Sequence, residues 1–406
     1  MRKIAIIGSG FSSLSAACFL SSKGHEVSVF EKEGVIGGRA RKKEINGFTF
    51  DMWPTFFCMS DIFDRFFDRF NVKTLDYFNF ERLHPSYQIY FSNSNSISLP
   101  CSKEQLLNAL EENGKGNSKF SDLLINDADV NLQTLYVKGG MFKIIESIKR
   151  LAESFGTTFF ANSMVEEIVV DQKSAKGIIV NGDYKEFDLI LSGIDYQSTE
   201  SLLNNRYRNY NNQDNYRLSY SALLFYVGFD KKIKNVSHNT IFLDTDFDFH
   251  AENIYDLPEW PENPMFYASF PSITDNTIAP QGKETGIFLI PIALGLGDND
   301  AIKNVYFEKI ISRMEKMTDQ KLRDNIEFFE SYYVNNLSSD YFSSKEDAIE
   351  LANTIAQSSS NKANIKNKKV RNLFYIDGLT IPDLGISSSM ISGEIVAEEA
   401  LKSISK

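Results

Sequence analysis

Residues 3–7, Lys-Ile-Ala-Ile-Ile, form a short, nearly unbroken apolar run of the kind that a strand buried on both faces requires. Gly8 and Gly10 end it. Leu14, Ala16, Ala17, Phe19 and Leu20 then continue as a compact helix that Gly24 stops, and His25 to Phe30 form a second strand. This strand–helix–strand order predicts an α/β fold around a parallel sheet. Residues 39–55 follow as two short strands joined at Asn46-Gly47, a strong hairpin signal. From Asp61 to Phe70, Ile62, Phe63, Phe66, Phe67 and Phe70 fall on one helical face, with Asp64, Arg65, Asp68 and Arg69 opposite. Core packing is the favoured use of that face, with a substrate entrance or a membrane-dipping helix as the alternatives. Between Pro100 and Val137 the chain reads as a short, polar, loop-like stretch. Residues 201–330 alternate strand-like runs such as ALLFYVGF and GIFLIPIAL with turns, which predicts a second sheet. Leu373 to Tyr375 form a last strand, Asp377-Gly378 a turn, and Ser387 to Ser389 cap a helix carrying Ile391, Ile395, Val396 and Leu401.

The first strand–helix–strand unit carries chemistry. Gly8 permits a tight turn, and Gly10 lets the backbone approach a pyrophosphate at the helix N-terminus. Ser13 stands where a third glycine would let the helix pack close to the strand, and it is small enough to serve. Glu31 ends the second strand about 20 residues beyond the glycines, where a carboxylate binds ribose hydroxyls. Gly34, Gly37, Gly38 and Arg39 follow as a flexible loop ending in a guanidinium that can neutralise the pyrophosphate from its other side. Two grips on one pyrophosphate suit a permanently held cofactor. Among the neighbouring cations Arg41, Lys42 and Lys43, the two lysines read as a solvated face.

Composition narrows the function further. At 406 residues with a formal charge of -11, the chain is long enough for two or three domains and repels phosphate backbones, which sets nucleic acid aside. Its three cysteines, Cys18, Cys58 and Cys101, lack metal or redox spacing, so reduced thiols in the cytoplasm are expected. The four histidines show no metal-binding spacing, and no nucleophile elbow occurs, so neither a metal centre nor a catalytic triad is expected. The 33 phenylalanines suit an aromatic core or an oily pocket. No stretch is long enough to span a bilayer, so any membrane contact must be peripheral. The basic run Lys362, Lys366, Lys368, Lys369 and Arg371 reads as a solvated hairpin, with anionic lipid as the alternative partner.

The segments GSGFSSLSAA, EKEGVIGGRA and GFTFDMWPT together resemble the FAD-dependent carotenoid (phytoene) desaturases, a branch of the amine-oxidase-like flavoproteins. YVKGGMFKIIESIKRLAESFG and KNKKVRNLFYIDGLTIPDLGISSSMISGEIVAEE are similar to later blocks of that branch, in the same order. The resemblance implies a Rossmann-type FAD-binding domain of the glutathione-reductase-2 type, discontinuous in sequence (1–75, 136–200 and 330–406), with an α+β substrate domain (76–135 and 201–329). It implies FAD held by Gly8, Ser9, Gly10, Phe11, Ser12, Glu31, Lys32, Gly37, Gly38 and Arg39. Pro54, Thr55, Val165, Asp377, Gly378, Gly385 and Ile386 complete the implied set, with Val165 at adenine and the last helix pointing its N-terminus at the flavin. It names no catalytic acid or base.

The implied activity is desaturation of a carotenoid or related polyisoprenoid, with FAD reoxidised by a quinone or oxygen, in the cytoplasm and in peripheral contact with the inner face of the membrane. Departures from the family pattern motivate two alternatives. The short Pro100–Val137 stretch lacks much of the usual lid, which leaves open a saturase, isomerase or oxidase acting on another apolar lipid. Trp53, Asp377 and Asp383 replace family glycines, which leaves open a non-catalytic relative with an obstructed flavin site.

Overall fold

The computed structural model describes residues 1–38, 40–53, 60–93, 95–99, 103–113, 134–209, 221–293, 295–297, 299–333, 365–376 and 386–404. Lys3–Ile7 lies at the centre of a five-stranded, all-parallel sheet, flanked by Glu26–Phe30 and then Thr158–Phe160 on one side, and by Leu189–Ser192 and then Leu373–Tyr375 on the other. Alternate side chains enter two different cores. Ile4, Ile6, Val27, Val29, Leu189 and Leu191 pack beneath helices, while Ala5, Ile7, Phe30 and Ile190 pack against an antiparallel three-stranded meander built from 165–186. Burial on both faces is why the first strand shows no polar alternation within its apolar run.

The covering helices are Phe11–Ser21, Phe142–Ser154 and Ile386–Ile404, the first of which packs against both others. Helix Ser60–Asp68 joins the same core. Ile62, Phe63, Phe66, Phe67 and Phe70 are all buried there, so the aromatic face is core packing rather than an entrance or a membrane contact.

The second sheet has seven strands in the order 326–333, 221–229, 284–292, 266–269, 239–242, 87–92 and 95–99. One face, with Phe225, Val227, Phe288 and Ile290, is closed by helix Asp300–Thr318 through Phe307, Ile310 and Met314. The opposite face, with Leu224, Tyr226 and Ile287, receives Phe48 and Phe50 from the hairpin Arg41–Ile45/Phe48–Trp53. Asn46 and Gly47 turn that hairpin at φ +50° and +83°, the left-handed conformations its two-residue loop requires. The Pro100–Val137 stretch is not wholly loop. Lys103–Glu112 forms a helix with Leu110 fully buried, and Leu135–Val137 pairs with Phe80–Arg82.

Candidate functional site

The nucleotide fingerprint folds into a loop tied together by one buried carboxylate. Glu31 Oε2 accepts hydrogen bonds from the Ser9 backbone N–H (3.1 Å) and the Ser9 hydroxyl (2.5 Å), while Oε1 accepts from the Glu33 N–H (3.1 Å). Ser9 Oγ accepts in turn from the Gly37 N–H at 2.9 Å, so the two glycine loops share one network. Gly8 sits at φ +85°, and a side chain there would strike Ile194 at 2.9 Å. Gly38, at φ +61°, lies against Gly10, whose Cα its own Cβ would meet at 3.0 Å.

Gly10 looks the other way. Among the described residues, a methyl group on it would meet nothing within 4 Å, and no side chain caps the helix that it opens. An open approach to an uncapped helix N-terminus suits a pyrophosphate, and the residues present therefore fit a bound dinucleotide. The Ser163 N–H donates to Glu31 O at 2.7 Å, which brings the start of strand Val165–Asp171 beside the Glu31 end of the site. Lys32 is exposed, with its Nζ 4.0 Å from Glu33 Oε1.

Ser13 is accommodated by a distant glycine. It is fully buried, and a Cβ on Gly193 would come within 1.9 Å of Ser13 Oγ. The helix therefore packs close to the strand ends even though the third fingerprint position carries a hydroxymethyl, because Gly193 supplies the missing space. Gly193→Ala is expected to destabilise the fold by about 1–3 kcal/mol through overpacking, and Ser13→Gly in the same chain to restore most of the loss. Denaturant midpoints of the single and double variants check this; additive losses would contradict it.

Ser12 Oγ donates to Ile376 O at 3.0 Å and Ser15 Oγ to Met390 O at 2.8 Å, so the nucleotide helix holds both the end of the last strand and the C-terminal helix. Phe11 is half-buried on the same helix, and Ile386 is buried at the start of the C-terminal helix. Gly8, Ser9, Gly10, Phe11, Ser12, Glu31, Gly37, Gly38, Val165 and Ile386 are thus placed on the elements that converge at the sheet's carboxyl edge. Arg39, Pro54, Thr55, Asp377, Gly378 and Gly385 lie outside the described residues, as do Asp383 and the side chain of Trp53. Lys43 departs from the solvated face expected of it. Its Nζ contacts Glu330 Oε2 and the Tyr332 hydroxyl across the seam between the hairpin and the second sheet.

A second polar cluster, at the same seam, has no counterpart in the sequence motifs. Asp51 accepts from the Met141 N–H (2.8 Å) and the Phe142 N–H (3.2 Å) at the start of helix Phe142–Ser154, while Asp275 accepts from the Gly139 N–H at 2.6 Å. Two carboxylates from different parts of the chain thus grip one turn, in which Gly139 and Gly140 have φ of +85° and +95°. Burial pushes the Asp51 carboxyl up to about 6 despite its amide donors, with the Asp275 charge adding to the rise. Burial also pushes His238 down to about 3, and its ring lies 4.8 Å from that of Tyr136.

These two groups oppose one another in acid. The folded protein retains the Asp51 proton that the unfolded chain releases between about pH 4 and 6, so that contribution is lost as pH rises. The unfolded chain binds a His238 proton that the folded protein refuses between about pH 3 and 6.5, so that contribution is gained as pH rises. Asp51→Asn is therefore expected to leave a stability that climbs by a few kcal/mol, roughly, from pH 4 to 6.5. His238→Phe is expected to leave one that falls between pH 4 and 6. Urea unfolding across this range checks both slopes; profiles parallel to the parent protein would contradict them.

Comparison with known proteins agrees with this geometry. Residues 6–71 match the family described as NAD(P)-binding Rossmann-like domain. The chain is 28% identical over 486 aligned positions to the carotenoid 3,4-desaturase of Haloarcula japonica, covering 99% of this chain and 98% of that protein. It is 26% identical over 503 positions to a 4,4'-diapophytoene desaturase of Staphylococcus aureus strain MRSA252, covering 99% of each. The chain is similar from end to end to carotenoid desaturases. An oxidoreductase from Methanosarcina mazei shares the fold, with a TM-score of 0.67 at 14% identity over 98% of this chain and 100% of that one. An alignment of 486 positions against 406 residues leaves at least 80 positions of that desaturase alignment as gaps in this chain. Among the described residues no helix is long and apolar enough to cross a membrane.

Proposed function

We propose that this protein is an FAD-dependent oxidoreductase that introduces double bonds into a carotenoid or related polyisoprenoid. The observation that carries the reading is the end-to-end similarity to two desaturases together with the open, uncapped Gly10 turn and its Glu31 lock. The bound flavin supplies the acceptor for the two hydrogen equivalents removed from a carbon–carbon bond. The chain's own residues hold and orient. Glu31 would take the ribose, the Gly8–Gly10 turn and Gly37–Gly38 the pyrophosphate, and the residues around Val165 the adenine. Arg39, Pro54, Thr55, Asp377, Gly378, Gly385 and Ile386 complete the proposed set. A hydrocarbon offers no carbonyl or phosphate to grip, so the second sheet must position it by apolar contact and exclude water.

We further propose peripheral contact with a membrane, from which so apolar a substrate is drawn, and a quinone or oxygen as the final acceptor. The gaps in this chain against those desaturases favour a second reading, in which a flavoprotein saturates, isomerises or oxidises another apolar lipid. Mass analysis of products from phytoene and diapophytoene in vesicles separates the two. Loss of hydrogens in pairs supports desaturation; a product of unchanged saturation overturns it.

A further inference from the structure

One line of side chains crosses the whole second sheet, from edge to edge. Tyr332 opposes Leu224, Leu224 opposes Leu289, Leu289 opposes Tyr267 and Tyr267 opposes Ile241. The row then continues through Ile89 to Ile97 on the far edge strand. Residues directly opposite in a ladder point to the same face, so this is one stripe on the side away from helix Asp300–Thr318. No member is charged. Strand-to-strand steps of about 4.8 Å put its ends roughly 29 Å apart.

The stripe is covered differently along its length. Sheet twist turns its two ends towards different elements. At one end the hairpin packs on Leu224 and Tyr226; at the other, Leu110 of helix Lys103–Glu112 packs with Ile89. Between them Leu289, Tyr267 and Ile241 are only half-buried. Tyr226 donates to Met52 O at 2.8 Å, so the stripe runs beside the point where the hairpin leads on to the proposed flavin residues Pro54 and Thr55.

The Tyr332 end is closed by charge. Lys43 holds both Glu330 and Tyr332, and the Tyr332 hydroxyl donates to Glu330 at 2.8 Å. An apolar chain advancing beyond Leu289 would have to lift the hairpin off Leu224 and break this ion pair without replacing its hydrogen bonds, which is costly.

The structure assigns the half-buried Leu289–Tyr267–Ile241 stretch of the stripe as the track of an extended isoprenoid chain, and the hairpin that covers Leu224, tied down by the Lys43–Glu330–Tyr332 cluster, as the stop that limits how long a chain it takes. The inference rests on the proposed reading and deepens it: these are specificity-determining positions. A narrow strip several strands wide suits a linear hydrocarbon rather than a compact ring system, and the polar stop fixes which carbons lie opposite Leu289.

The test uses the full-length, FAD-supplemented protein and a ladder of linear isoprenoids, each one isoprene unit longer than the last, in neutral-lipid vesicles. Binding is read by quenching of protein fluorescence by conjugated members of the ladder and by competition with saturated ones. The parent protein is expected to show a sharp upper length. Lys43→Met combined with Tyr332→Phe is expected to move that limit up by at least one unit, and Leu289→Trp to weaken the longest bound member about tenfold or more while sparing the shortest. Urea midpoints and flavin content confirm that each variant is folded. An upper length that is the same in all three proteins overturns the assignment, even with turnover intact. A limit that moves as stated, without any change in substrate saturation, retains the track and overturns desaturation instead.

Discussion

Glu31→Ala will purify without flavin at concentrations that saturate the parent protein. Glu31 is 5% exposed and accepts three hydrogen bonds, from Ser9 N, Ser9 Oγ and Glu33 N. Truncation leaves these donors unpaired, at about 1–3 kcal/mol for each buried group, and removes the carboxylate proposed to hold the ribose. Two charge-assisted hydrogen bonds to a diol contribute about 1.5–3 kcal/mol each, so flavin affinity is expected to fall by roughly a hundredfold or more. Equilibrium dialysis against FAD measures the loss. Ser9→Ala separates the two roles, because it loosens the Gly37 tie yet leaves the carboxylate; a tenfold or smaller effect is expected from it. Equal losses in both variants would show that Glu31 acts only by shaping the loop.

Gly393→Ala carries the second large effect. A Cβ there would meet Ser12 O at 2.2 Å, Ser15 Cβ at 2.7 Å and Ala16 N at 2.9 Å, two of which are backbone atoms that cannot rotate away. The C-terminal helix must therefore move off the nucleotide helix, breaking the Ser15–Met390 hydrogen bond. Overpacking of this kind costs about 1–3 kcal/mol, and backbone obstruction places it at or above the upper end. The shift also withdraws the N-terminus of helix Ile386–Ile404 from the proposed flavin position, where a partly buried helix end contributes up to about 2 kcal/mol to a negative charge. Expected results are a lowered denaturant midpoint and a lowered flavin reduction potential in the refolded holoprotein. An unchanged potential would remove the helix from the flavin's environment.

Local patterns carried much of the fold. The strand–helix–strand opening, the Asn46-Gly47 turn and the aromatic face of helix Ser60–Asp68 are legible because each is decided by residues within a few positions of one another. The glycine spacing and Glu31 were legible for the same reason. What the sequence could not display are pairings across long separations. The Gly193 that accommodates Ser13 lies on a different strand end, Lys43 finds Glu330 and Tyr332 near the other end of the chain, and the amides that satisfy Asp51 belong to a helix 90 residues away. None of those partners carries a motif. Helix Lys103–Glu112 was hidden by its polar composition, although Leu106, Leu107 and Leu110 do recur at helical spacing.

The stripe across the second sheet shows why a binding surface for a hydrocarbon is hard to read in advance. Each strand contributes one apolar residue in a position where any strand would carry one, and only the register lines them up. A site for a charged ligand announces itself by unusual residue types; a site for a polyisoprenoid differs from a core only in being left partly open.

The most direct measurement is an anaerobic absorbance spectrum of the FAD-supplemented protein before and after addition of phytoene or diapophytoene in liposomes. Bleaching of the bound flavin band, accompanied by growth of a longer-wavelength polyene band, is the predicted result. A bound flavin that stays oxidised while the lipid is unchanged, or a protein that binds no flavin, would contradict the assignment of this chain as a flavin-dependent desaturase.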